Sequence, residues 1–179
     1  MNNIFITGEK QIGKSTIINR IIQDFSGKIC GFKTLLEKNE HRQFYFYSLN
    51  SNFRIDEKVY ICKKSSNNKL EGISESFDKT GVEILRDCID SSQNIIIMDE
   101  LGTFENDAYK FHEAVYECLN LKYPVVGVIK DKSSLFLDTI KKRKDVEVHY
   151  ITKDNRDAAY KNIRNALKNL DLAMNQTTL

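Results

Sequence analysis

The stretch Gly8-Glu9-Lys10-Gln11-Ile12-Gly13-Lys14-Ser15-Thr16 constrains this chain more than any other. It fits G-x-x-x-x-G-K-[ST], the Walker A pattern, which binds phosphate when a strand precedes it and a helix follows. Both flanks are present. Asn3-Ile4-Phe5-Ile6-Thr7 reads as a short buried strand, and Ile17, Ile18, Ile21, Ile22 and Phe25 recur at helical spacing. Gly8 and Gly13 let the backbone turn tightly and bring N–H groups close to oxygen anions. A helix opening near Gly13 points its unpaired N–H groups at phosphate. Lys14 can reach the β- and γ-phosphates as a point charge, Ser15 offers a hydroxyl to Mg²⁺, and Thr16 supports the helix start. Glu9, Lys10, Gln11 and Ile12 complete the loop. The pattern does not demand Lys10 or Gln11, and Lys10 is equally a solvated side chain.

At 179 residues the chain is read as one domain over 1–173, with a frayed tail at 174–179. A net charge of +2 argues against a protein whose main work is gripping nucleic acid or an anionic membrane. There is no basic, apolar leader at the N-terminus and no apolar run long enough to span a bilayer. Cys30, Cys62, Cys88 and Cys118 form no C-x-x-C pair. They are expected as small core residues rather than metal ligands or disulfide partners, in a reducing cytoplasmic setting.

Along the chain, strand and helix signals alternate. Lys14 to Phe25 is a helix closed by Ser26-Gly27, with Gly27 suited to a left-handed cap, and Ile29 to Thr34 is a strand. Residues 37–80 read as a β-rich insertion of antiparallel hairpin type. Phe44 to Tyr47 alternates, Val59-Tyr60-Ile61-Cys62 is a second short strand, and polar turns lie at 50–52 and 63–69. The aromatic stripe there is expected to pack into the core. Ser76 to Ile89 is helical, Asn94 to Met98 is an apolar run typical of a strand buried on both faces, and Asn106 or Asp107 can cap the next helix. A strand at 125–129, a short helix at 135–142, a strand at 146–151 and a helix at 157–172 close the chain. This order predicts a mostly parallel α/β sheet flanked by helices.

The apolar run ends in Asp99-Glu100. An Asp there can hold Mg²⁺ through water opposite Ser15, and the following Glu can polarise a water for in-line attack on a γ-phosphate. The alternative is an acidic pair that merely starts a turn before Gly102.

Four segments in this order resemble one family. They are the N-terminal phosphate loop, Gly31-Phe32-Lys33-Thr34, Asp99-Glu100-Leu101-Gly102-Thr103-Phe104-Glu105 and Asn155-Arg156-Asp157. Together they are similar to the small P-loop nucleoside-triphosphatases of thermophiles and their vertebrate counterpart, the cancer-related nucleoside-triphosphatase. The resemblance implies a RecA-like fold with a five-strand sheet, in which one strand separates the phosphate-loop strand from the Asp-Glu strand. It also implies Mg²⁺-dependent hydrolysis of ATP, GTP and other nucleoside triphosphates. The chain departs from the family at Lys10-Gln11, where small residues or Pro/Gly are usual, and after Arg42, where Gln43-Phe44 lacks the family's glycine.

Two residues stay open. Glu105 either orients water and closes the site, as the resemblance suggests, or complements the dipole of the next helix. Arg156 either stabilises the transferring phosphoryl group or pairs with Asp154 or Asp157; Arg42, Arg54 and Arg143 are weaker candidates for the first task. His41, His112 and His149 show no metal or catalytic spacing. The Lys141-Lys142-Arg143-Lys144 run reads as a solvated helix end. Thr152-Lys153-Asp154 places its Asp one residue too early for a guanine-reading motif, so strict guanine specificity is not expected. Two other functions compete with hydrolysis: a small-molecule or nucleotide kinase with residues 37–80 as its lid, and a nucleotide-switched binding module.

Overall fold

The computed structural model describes residues 3–38, 42–91 and 94–176. Its centre is a six-stranded sheet in the order β3-β2-β6-β7-β1-β8. The strands are β1 (Asn3–Gly8), β2 (Ile29–Leu36), β3 (Phe44–Ser48), β6 (Ile95–Leu101), β7 (Val125–Ile129) and β8 (Val146–Ile151). Five are parallel, and β3 runs antiparallel along the outer edge of β2. β7 alone separates β1 from β6. That places the C-terminal ends of the phosphate-loop strand and the acidic strand across one crevice, where ligands bind in open α/β sheets.

The apolar runs explain the burial. Ile95, Ile96, Ile97 and Met98 are all fully buried, because helices cover both faces of β6. On one face, α1 (Lys14–Asp24) and α6 (Arg156–Gln176) bring Ile17, Ile18, Ile21, Tyr160 and Ile163 against Ile4, Ile6, Ile97 and Val128. On the other, α3 (Val82–Asp90), α4 (Tyr109–Leu119) and α5 (Leu135–Lys141) pack Leu85, Phe111, Val115 and Leu137 against Phe5, Phe32, Met98 and Ile129. α3 continues from α2 (Ser74–Ser76) through a π-helical turn at Phe77–Gly81. Ser134 caps α5, its hydroxyl accepting from the Leu137 N–H. Ser134→Ala is expected to cost about 1 kcal/mol of stability, read by chemical denaturation.

The insertion is antiparallel and contains a hairpin, as expected, with its strands divided between two sheets. Phe44–Ser48 joins the main sheet, and residues 59–61 meet its outer side through the Tyr45–Tyr60 bridge. A separate hairpin pairs β4 (Cys62–Lys64) with β5 (Leu70–Gly72) around the polar stretch read as a turn. These three-residue strands are too short to show periodicity. The aromatic stripe does pack: Phe46 lies 5.3 Å from Phe32 and 5.2 Å from Phe77, both edge-on.

Three local expectations are corrected. α1 ends on Phe25 in an extended conformation, so Gly27 is no left-handed cap. Neither Asn106 nor Asp107 caps α4; Ala108 is its first flanking residue, and the Asp78 carboxylate accepts from the Phe111 N–H at 3.0 Å. A disulfide joins Cys30 of β2 to Cys88 of α3, while Cys62 and Cys118 are free and buried. The bonded pair has a sequence separation of 58, and such a distance carries no spacing signal. Of the tail, residues 174–176 continue α6 and 177–179 lie outside the described residues. No helix among the described residues is long and apolar enough to cross a membrane.

Candidate active site

The phosphate loop leaves β1 at Gly8, with φ 142°, and enters α1 at Gly13, with φ 102°. Glycine is needed at both positions. At Gly8 a Cβ would stand 2.5 Å from the Ile151 carbonyl oxygen of the neighbouring strand. Gln11 takes φ 65°, also left-handed, a conformation uncommon for a residue with a side chain. The loop turns back on Lys14, whose ammonium donates to the carbonyls of Gly8 at 2.9 Å and Glu9 at 2.7 Å. Gly13 flanks α1 with no side-chain cap, so the helix offers its first N–H groups to a ligand. Ser15 and Thr16 are exposed on that first turn.

Across the crevice, the Ser15 hydroxyl donates to Asp99 Oδ1 at 3.4 Å. Asp99 is only 2% exposed. Burial and then the Glu100 charge push its carboxyl up to about 6, against the pull of Lys33, the Ser15 hydroxyl and Lys14. Asp99 pairs with Val128 and Leu101 with Ile129, so Glu100 is the extra residue of a bulge. A bulge re-aims a side chain at the end of a strand. The peptide joining Asp99 to Glu100 is cis. Glu100 is partly exposed and pairs with Lys130 at 3.4 Å.

An oxygen-only donor set of hydroxyl and carboxylate fits Mg²⁺, which keeps waters and substrate phosphates among its ligands. No group of three or more His, Cys, Asp or Glu among the described residues is placed to hold a metal by itself. Ser15 and Asp99 are the residues here that could hold such an ion.

Glu105 sits inside. It is 2% exposed, and its carboxylate accepts from the Gly102 N–H at 2.5 Å. Its backbone carbonyl takes the N–H of Ala108 at 2.9 Å and His112 Nε2 at 2.7 Å. Burial pushes its carboxyl up to about 7. It thus braces the turn after the acidic strand from beneath. Among the described residues Arg156 forms neither of the ion pairs offered for it, and Asp157 pairs with Arg20 at 3.3 Å. The Arg156 side chain lies across the loop instead, and a Cβ at Gly13 would touch its Cδ at 3.2 Å. Asn155 sets this up. Its amide accepts from the Thr152 N–H and donates to the Tyr150 carbonyl, both at 2.8 Å, fixing the turn between β8 and α6.

The NTPase family model matches residues 3–164. The chain belongs to the NTPase family. Its relatives include the nucleoside-triphosphatase THEP1 of Natranaerobius thermophilus, 29% identical over 160 residues and covering 87% of this chain and 90% of that protein. THEP1 of Thermotoga maritima is 28% identical over 178 residues, covering 92% and 95%. The mouse cancer-related nucleoside-triphosphatase homolog is 26% identical over 177 residues, covering 87% and 91%. The crystal structure of THEP1 from Aquifex aeolicus superposes with a TM-score of 0.75 over 93% of this chain and 99% of that one, at 23% identity, so the fold is shared.

The other candidates of this NTPase-family chain lie elsewhere. Arg143 binds Asp145 and Asn120 where β8 begins, at the opposite end of the sheet from the loop. Arg54 lines a groove of about 530 Å³ along β3. His112 stacks on Phe136 at 3.8 Å, His149 pairs with Glu147 at 3.0 Å, and His41 is outside the described residues. Two lysines by the acidic strand escaped the sequence. Lys33 faces Asp99 in register and donates to Asn19 at 2.6 Å. Lys130 follows the last residue of β7 and meets Glu100. The first charge after a buried strand, followed at once by Asp131 and Lys132, was the available signal for Lys130, but it singles out no partner.

Proposed function

We propose that this chain is a Mg²⁺-dependent nucleoside-triphosphate phosphohydrolase of low base specificity. One observation carries the proposal: the Ser15 hydroxyl, on the first turn after the phosphate loop, stands 3.4 Å from buried Asp99, with Glu100 next in the chain. The loop N–H groups and Lys14 would bind the β- and γ-phosphates, for which Lys14 must leave its contacts with Gly8 and Glu9. Ser15 and Asp99 would hold Mg²⁺, which supplies charge neutralisation at the phosphoryl oxygens. Glu100 would take a proton from the attacking water, and Arg156 would offer its guanidinium to the γ-phosphate from across Gly13. Low base specificity fits the tether on Asn155, whose amide is spent on the β8–α6 turn rather than free to read guanine.

The test is phosphate release from ATP, GTP, CTP and UTP with and without Mg²⁺. Comparable release from all four, abolished by chelation, is expected. Release that survives chelation, or that is confined to one base, overturns the respective part. A phosphorylated acceptor in the same tube would make the protein a kinase instead. Turnover that rises only with a partner would make it a nucleotide-switched module.

A further inference from the structure

We propose that Lys130 is a positioning residue for the reaction, holding the Glu100 carboxylate in place and, with Glu105, fixing the turn that follows it. This rests on Glu100 as the base. Three contacts converge on one side chain. The Lys130 ammonium lies 3.4 Å from Glu100 Oε1 and 5.1 Å from the centre of the Phe104 ring. Its stem runs along Gly102, where a Cβ would stand 3.2 Å from Lys130 Cδ. Its backbone N–H donates to the Leu101 carbonyl at 2.8 Å, so the residue is anchored next to the one it grips.

Glu100 needs such a partner. As the extra residue of a bulge it has no opposite number on β7 to pack against. Nothing else holds its carboxylate in an ion pair among the described residues. The segment 101–105 is gripped from both sides, by the buried Glu105 carboxylate on the Gly102 N–H and by Lys130 over Gly102 and Phe104. A half-exposed ion pair contributes little to stability. A base must however stand within hydrogen-bond reach of its water, and small misplacements cost large factors in rate. The arrangement therefore serves geometry more than stability.

The test uses the full chain and Mg·ATP, comparing wild type, Lys130→Met, Lys130→Arg, Glu100→Gln and the Lys130→Met/Glu100→Gln double variant by single-turnover and steady-state hydrolysis. Lys130→Met is expected to lower kcat about tenfold or more with KM within about twofold, and to leave the thermal midpoint nearly unchanged. Lys130→Arg should recover most of the loss. In the Glu100→Gln background, Lys130→Met should change the rate less than about twofold, because the group it positions is gone. An unchanged or raised kcat in Lys130→Met overturns the proposal, as does an equal loss in the Glu100→Gln background. Full activity in Glu100→Gln alone would instead remove Glu100 as the base, and with it the role of Lys130.

Discussion

Glu100→Gln is expected to bind Mg·ATP as wild type does while turning it over about 10²- to 10⁴-fold more slowly. The substitution keeps the size and hydrogen-bonding reach of the side chain and removes only its capacity to accept a proton from water. Binding should survive because the proposed phosphate and metal contacts come from the loop, Lys14, Ser15 and Asp99. Ser15 and Asp99 already stand 3.4 Å apart. Titration calorimetry with ATP, set beside single-turnover hydrolysis, separates the two quantities. Lys14→Ala provides the contrast, because it should weaken binding itself. Wild-type turnover in Glu100→Gln would return the acidic pair to a structural role and leave a phosphate-gripping loop without an assigned base.

Glu105→Gln should stabilise the protein at pH 8, by up to about 3 kcal/mol, and flatten its stability against pH. Burial raises this carboxyl from 4.5 to about 7. Between those values the folded chain keeps a proton that the unfolded chain releases. Stability therefore falls as pH rises through the window, and the full cost is present above about pH 7. Glutamine keeps an oxygen for the Gly102 N–H and cannot ionise. Asp99, raised from 3.8 to about 6, contributes with the same sign, so a shallower slope should persist in the variant. Urea midpoints for both proteins from pH 4 to 8 provide the check. Parallel curves would mean that Glu105 does not carry the dependence.

The sequence disclosed those parts of the site whose chemistry is bound to local pattern. The phosphate loop needs its glycines, lysine and serine at fixed offsets, and β6 needs apolar residues on both faces before Asp99. Once both were found, the order of strands and helices placed them on one sheet. What escaped depends on distant partners. The Cys30–Cys88 bond, the Asp78 cap on Phe111 and the Lys130 contact with Glu100 each join segments that share no pattern in the chain. β4 and β5, at three residues each, are too short to signal themselves. Arg156 was recognisable as a candidate, yet its place over Gly13 follows from the Asn155 tether, a three-dimensional fact.

The wall against the phosphate loop is built from residues more than 140 positions later in the sequence, roughly the separation of Gly8 from Ile151. β8 aligns Gly8 with Ile151, and Arg156 closes over Gly13. During synthesis the loop emerges first but lacks this wall until the ribosome has passed Arg156. The nascent chain must therefore carry an unfinished anion cradle until Arg156 has been added, and a truncation before β8 would leave the motif intact in sequence yet bare on one side.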